Sequence, residues 1–284
     1  MTEKNKSLLN IHLAVLLFGI GGSFGKLITL PSTVTVLGRV IFSSLFLFII
    51  LKLKKEKISL NNKSHYFSMI VMGIILAIHW TTFYQSVKMS TVAIALLTFS
   101  TFPMFITFIE PYFFKEKLQI SDVIIALITF IGILFVIPKF EFSDNTTIGA
   151  ILGIISGFTY AILSILNRKF IKEYSGPLIA FYEQTVSIIV LMPFYFIAKP
   201  YISMNNLILT ILLGVVFTGI AHTLFIMGLK NVKTQTAGII GSLEPLYGII
   251  CAIFIVNEIP TSKVLIGGTF ILGAVIYSTI KSKK

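Results

Sequence analysis

Apolar residues come in long runs separated by short polar connections: 8–26, 34–51, 66–87, 91–114, 121–137, 148–166, 178–198, 207–229, 236–257 and 263–280. About 20 apolar residues in helical conformation span the hydrocarbon core of a bilayer, so the pattern predicts ten transmembrane helices. The first run has no small-residue cleavage site. Its Gly19, Gly21, Gly22 and Gly25 predict close helix packing rather than a removable signal. Of the 284 residues 56% are hydrophobic and 12% charged, about half the charge of a soluble domain. The expected class is all-α integral membrane, with the lipid bilayer as a partner and no connection long enough to fold as a soluble domain.

Charge then orients the helices. Seventeen of the 23 Lys and Arg fall before the first run or in every second connection after it: Lys4 and Lys6, Lys52 to Lys63, Lys115 and Lys117, Arg168 to Lys172, Lys230 and Lys233, and Lys281 to Lys284. Five occupy the alternate connections (Lys26, Lys88, Lys139, Lys199 and Lys263), and Arg39 lies inside the second run. Cytoplasmic loops carry the basic excess, so both termini are expected in the cytoplasm of a bacterial-type inner membrane. The net charge of +12 reports orientation; a nucleic-acid partner would need basic residues clustered on a soluble face. The single cysteine, Cys251, excludes an internal disulfide. No zinc or iron–sulfur spacing is present, so neither metal nor cofactor is expected.

The ninth run carries Gly241-Ser242-Leu243-Glu244-Pro245-Leu246-Tyr247-Gly248, a carboxylate followed by a proline near mid-span. A charge at that depth costs on the order of 2.5–3.5 kcal/mol and marks a functional site by default. Proline removes a backbone donor, and irregular backbone in a membrane is tolerated where it lines a cavity or is buried in protein. The chain also repeats itself at an offset of 142: Phe18-Gly19 falls on Tyr160-Ala161, Lys26 on Arg168, Lys88 on Lys230, Pro103 on Pro245 and Glu116 on Glu258. Five runs per half is an odd number, so the halves 1–142 and 143–284 are expected as two inverted repeats around a central cavity. That is the architecture of secondary transporters, with Pro103 and Pro245 as paired helix breaks.

Two five-helix halves, Thr101-Phe102-Pro103, Glu244-Pro245, Glu116, Glu258, Arg39 and Lys88-x-x-Thr91-Val92-Ala93 together resemble the drug/metabolite transporter superfamily, specifically its EamA-type members, over the whole chain. The resemblance implies a ten-helix basket without a cofactor. In it helices 1, 3, 4, 6, 8 and 9 enclose the cavity and helices 5 and 10 stand aside. It also implies alternating-access transport of small metabolites such as amino acids, nucleobases, vitamins or organic cations. Phe18-Gly19 stands where many relatives have Trp-Gly, and His79-Trp80 matches no named subfamily.

Among the residues themselves, His79 and Phe83, and Trp80 and Tyr84, are four apart on the third helix and form two adjacent stripes. Aromatic walls beside Glu244 suit a cationic or aromatic ligand; ordinary helix packing is the competing account. His222 falls on Trp80 at the repeat offset, and both histidines are near mid-span. The expected substrate site is Glu244, His79, Trp80, Phe83, Tyr84, Phe102, Tyr160, His222 and Tyr247, with Glu244 binding a substrate cation or carrying a coupling proton. Arg39 and Glu183 are candidates for a gate or ion pair. For Arg39 snorkelling or structural pairing is favoured, and for Glu183 and Glu110 interfacial pairing with Lys or Arg. Glu116 and Glu258 read as loop or cap residues, and the Gly149, Gly153 and Gly157 stripe as a helix-packing face.

The leading reading is a secondary transporter, monomeric or homodimeric, for a small polar or amphipathic molecule. An intramembrane enzyme using His and Glu would show convergent catalytic groups such as His-Glu-x-x-His, which the chain lacks. A lipid-handling protein would have no use for a polar midplane. Phosphate-loop ATP hydrolysis is excluded by the lack of a Gly-rich loop with its Lys. The loop charges make a direct prediction. On a Cys251→Ser background, single cysteines at Lys54, Lys117 and Lys172 resist an external impermeant thiol reagent, and one at Lys139 reacts. Labelling at Lys54 and Lys172 without labelling at Lys139 would overturn the orientation.

Overall fold

A computed structural model describes residues 2–114, 120–136, 141 and 143–281. Lys115, Glu116, Lys117, Lys139, Lys283 and Lys284, used above for charge and repeat, lie outside the described residues. The described chain is helical and contains no strand. Its elements are α1 (Glu3–Gly22), α2 (Phe24–Leu27), α3 (Ser32–Leu53), α4 (Lys63–Met89), α5 (Val92–Phe99), α6 (Phe102–Phe114), α7 (Ile120–Val136), α8 (Asn145–Phe170), α9 (Gly176–Ala198), α10 (Met204–Gly214), a π-helical turn (Val215–Ile220), α11 (Ala221–Gly228), α12 (Thr234–Gly241), α13 (Glu244–Ile255) and α14 (Ser262–Lys281). Every apolar run of the sequence is thus mainly helical over its described residues. Among the described residues seven helical stretches are long and apolar enough to cross a membrane: Glu3–Leu27, Ser32–Leu53, Lys63–Met89, Val92–Phe113, Asn145–Phe170, Gly176–Ala198 and Met204–Gly228.

Helix starts follow local chemistry. Asn62, Thr91, Asp144, Ser175 and Ser203 each accept a hydrogen bond from a backbone N–H of the first turn, satisfying donors that the helix cannot. Side chains such as Leu45, Ile49, Phe67, Ile70, Ile189 and Phe254 are exposed. Apolar surface on that scale suits lipid rather than water. Inside, glycines set the close crossings. A Cβ on Gly157 would lie 2.7 Å from the Phe99 carbonyl oxygen, and one on Gly149 2.8 Å from Ser90 Cβ, so the glycine stripe packs α8 against α5 and its approach. At Gly19 a Cβ would lie 2.8 Å from the Glu244 carbonyl oxygen, and Gly248 faces the same point. This crossing brings α13 onto α1 and sets the position of Glu244.

Two of the long apolar runs break just ahead of a proline. The fourth run divides between Phe99 and Phe102 and the ninth between Gly241 and Glu244, so Pro103 and Pro245 each stand second in a new helix. Proline is tolerated there because first-turn N–H groups have no intrahelical acceptor. The break therefore precedes each proline instead of following from a kink at it. Ser100 and Thr101 hydroxyls donate to the carbonyls of Leu96 (2.9 Å) and Thr98 (2.8 Å), so little polar backbone is left open. Both prolines are buried, and Pro103 packs on Gly238 of α12. The π-helical turn in the eighth run has no counterpart in the sequence expectations. Helices α7 and α14 pack along each other, bordering a small apolar cluster of their own with Leu97, Ile133, Val136 and Ile271.

At one end of the bundle Lys26 pairs with Glu258 at 3.3 Å and donates to the Ser90 carbonyl at 2.7 Å. Glu258 accepts from the Val92 N–H at 2.7 Å, and Lys88 donates to the carbonyls of Ile28 and Leu30. Glu258 is thus a cap, as expected, but for the start of a different helix. At the other end Asn231 bonds Ser7 at 3.0 Å, Ser175 bonds Glu56, and His65 lies 2.7 Å from the Tyr174 hydroxyl.

The glycine crossings set a stability test. A Cβ at Gly73 would come 2.7 Å from the Glu183 carbonyl oxygen and also strike Val186, whereas one at Gly273 meets nothing within 4 Å. Overpacking costs about 1–3 kcal/mol. Thermal unfolding in detergent should therefore show a lowered midpoint for Gly73→Ala and an unchanged one for Gly273→Ala.

Candidate functional site

The helix breaks, the π-helical turn and the glycine crossings surround one internal cavity. It is lined by Phe18, Gly21, Gly22, Arg39, His79, Trp80, Phe83, Tyr84, Phe99, Tyr160, Phe217, His222 and Glu244. Seven of the nine residues expected at a substrate site therefore meet there, from α4, α8, α11 and α13. The two others stand behind them. Phe102 stacks on Phe99 at 5.1 Å and meets Tyr160 edge-on at 5.2 Å. Tyr247 packs beside Gly19, one turn of α13 from Glu244.

Arg39 does not snorkel. It is 4% exposed, and its guanidinium lies 4.0 Å from the centre of the Trp80 ring and 5.1 Å from that of Tyr84, contacts worth about 2 kcal/mol when desolvated. Nε donates to Thr218 Oγ1 at 2.8 Å and Nη2 to the Phe217 carbonyl at 3.4 Å; Nη1 has no partner among the described residues. Both acceptors belong to the π-helical turn. The widened turn presents the Phe217 carbonyl, while Thr218 donates back to Leu213 O at 2.7 Å. Snorkelling fails physically because Arg39 faces the bundle, where its charge meets ring faces and hydrogen-bond acceptors before it can reach an interface.

Glu183 also departs from expectation. It is fully buried and lies 2.6 Å from His222 Nε2, with no Lys or Arg paired to it. The interfacial pairing expected for Glu110 does occur, with Arg168. His79 is held by Ser156, whose carbonyl and hydroxyl lie 3.0 and 2.8 Å from Nδ1, and it stacks on Tyr160 at 4.8 Å. The tautomer donating from Nδ1 leaves Nε2 as an acceptor. Glu244, on the first residue of α13, has no hydrogen bond or ion pair among the described residues, and no salt bridge joins it to Arg39. A buried carboxylate and a buried guanidinium thus share one aromatic-walled cavity, each with unused hydrogen-bonding capacity. Among the described residues no group of three His, Cys, Asp or Glu is placed to hold a metal ion.

The sequence model of the EamA-like transporter family matches residues 5–137 and 147–280. The chain belongs to the EamA-like transporter family. It is accordingly a multi-pass membrane transporter of the drug/metabolite transporter superfamily. Relatives of this EamA-like chain include an uncharacterized transporter YxxF of Bacillus subtilis (strain 168), 26% identical over 257 residues, 87% of this chain and 81% of that one. An S-adenosylmethionine uptake transporter of Rickettsia conorii (strain ATCC VR-613 / Malish 7) is 23% identical over 217 residues, 76% of this chain and 72% of that one. A crystal structure with 14% identity superposes with a TM-score of 0.74 over 99% of each chain, which shows a shared fold. Thr218, Phe217, Phe99 and Ser156 escaped the sequence reading of this EamA-like site, and Phe18 entered it only as a repeat and family position. Hydroxyl and phenylalanine residues are common in its apolar runs and carry no signal until neighbours are known.

Thr218 tests the anchoring of Arg39. Leaving a buried charged donor without its acceptor costs about 1–3 kcal/mol or more. Thr218→Val should lower the unfolding midpoint in detergent, and Thr218→Ser should restore most of it.

Proposed function

We propose that this chain is a secondary active transporter that moves a small amphipathic metabolite across a bacterial-type inner membrane by alternating access. In this reading ten helices form two inverted five-helix repeats, residues 1–142 and 143–284, with both termini cytoplasmic. Support comes from the offset of 142 between the breaks before Pro103 and Pro245 and from the sorting of connections to two ends. The substrate would sit among Glu244, Arg39, His79, His222 and the aromatic walls. Glu244 would receive a cationic group, Arg39 Nη1 an anionic or carbonyl group, and Trp80, Tyr84 and Tyr160 an apolar or aromatic body. A substrate with both charges, as an amino acid has, uses every one of these groups.

The observation that carries the reading is the opposed carboxylate and guanidinium in one aromatic cavity. The cavity leaves about 30 Å³ of free space, room for a few water molecules. A metabolite enters only when the helices around it separate, and the Lys26, Lys88 and Glu258 contacts close one end in this state. An intramembrane enzyme is the weaker reading: the Ser156 hydroxyl held against His79 does not line the cavity.

The test is uptake into proteoliposomes against amino acids, nucleobases, organic cations and S-adenosylmethionine, the last because a relative's name carries it and because it bears both charges and an aromatic base. Glu244→Gln keeps the shape and removes the charge. Transport of the identified substrate should fall at least tenfold, or lose its pH dependence, while the protein still elutes as a folded species. An unchanged rate and pH profile would remove Glu244 from the mechanism.

A further inference from the structure

We propose that Glu183 and His222 form a single exchangeable proton site inside the bundle, separate from Glu244, and that its charge is felt by the transport cavity through Trp80. The two side chains come from different helices, α9 and α11, and meet at 2.6 Å with 0% and 1% exposure. Among the described residues no Lys or Arg forms an ion pair with Glu183, and its Oε1 has no hydrogen-bond partner. A carboxylate taken out of water needs a compensating charge, and the imidazole in contact with it can supply one. With one added proton the pair is neutral, and without it the pair carries one negative charge in a medium that opposes it.

The proton has a route. His222 lines the cavity. An Nε2–H donating to the carboxylate leaves the Nδ1 lone pair without a partner among the described residues. On protonation an O–H bond of a hydronium breaks, an N–H bond forms at Nδ1, and water remains; release reverses these steps. The edge of His222 meets Trp80 at 5.4 Å, and Arg39 lies 4.0 Å from the centre of that same ring. A positive His222 therefore shares an indole with the cation that would hold the substrate, so occupancy by proton and by substrate are electrostatically linked.

Other charged or titratable groups face this pair from the surrounding helices. They are Arg39 of α3, His79 and Tyr84 of α4, Tyr160 of α8 and Glu244 of α13, all lining the cavity. Helix α1 adds only the exposed His12 and the charges of its first turns, and the π-helical turn adds none. Of these, Arg39 stays charged throughout the accessible range. The variants below separate His79 and Glu244 from the pair.

The inference rests on the alternating-access reading only in making the proton a coupling proton; its titration needs no substrate. Trp80 is the chain's one tryptophan, and a protonated imidazole against an indole quenches its fluorescence. The emission of detergent-purified protein, excited selectively at Trp80, should fall in a single reversible step as the pH is lowered. His222→Gln should abolish the step, while His79→Gln and Glu244→Gln retain it. Glu183→Gln should abolish it or displace its midpoint by at least about one pH unit. A wild-type signal without a step, or a step unchanged in His222→Gln, overturns the proposal. Should His222→Gln fail to fold, an unchanged midpoint in Glu183→Gln does the same. Transport lost in Glu244→Gln with no Trp80 titration in the wild type would sink the proton site and leave the transport reading standing.

Discussion

In a bilayer a backbone N–H or C=O that leaves its helix has no water to turn to. That constraint decides where this chain can be irregular. The breaks at Ser100–Thr101 and Ser242–Leu243 lie in the protein interior, the π-helical turn at Val215–Ile220 buries Thr218 and Gly219, and hydroxyls of Thr98, Ser100, Thr101 and Thr218 return to carbonyls of the preceding turn. Because irregular backbone must be buried in protein, the three irregularities converge. Where they converge there is unspent hydrogen-bonding capacity, and a cavity in an otherwise apolar bundle.

The same low dielectric governs the side chains. Arg39, Glu183, Glu244, His79 and His222 are each at most 5% exposed, and each is handled differently. Arg39 rests on ring faces and two acceptors, Glu183 and His222 meet at 2.6 Å, and His79 is fixed by Ser156. Glu244 alone has no polar partner among the described residues. An unpartnered buried carboxylate is costly for stability, and under the proposed function a cationic ligand or a proton would relieve that cost. The proposed role thus sets stability against function at Glu244, while the surrounding groups are tied down.

Glycine supplies the mechanical counterpart. Gly19 and Gly248 let α1 and α13 cross at backbone contact, Gly157 does so for α8 against α5, and Gly149 brings α8 onto the end of α4. Crossings without interlocking side chains have little to unlock when helices slide. The Lys26–Glu258 end, by contrast, is held by charge-assisted hydrogen bonds, which release in discrete steps.

The sequence by itself determined the membrane class, the apolar runs and the location of the breaks, because hydropathy, length and proline are local properties read without neighbours. It also marked Glu244, His79, Trp80, Tyr84, Tyr160 and His222, since polar and aromatic groups at mid-span are costly wherever they point. What it left undecided was direction. Arg39 five residues inside a helix is compatible with an interface or an interior, and only the rotation of α3 against α4 and the π-helical turn sends it onto Trp80. Glu183 reads as an interfacial acid until α9 packs on α11 and closes it against His222. The π-helical turn has no sequence mark: Arg39 uses the Phe217 carbonyl and the Thr218 hydroxyl it presents, and those contacts exist only once distant helices have met.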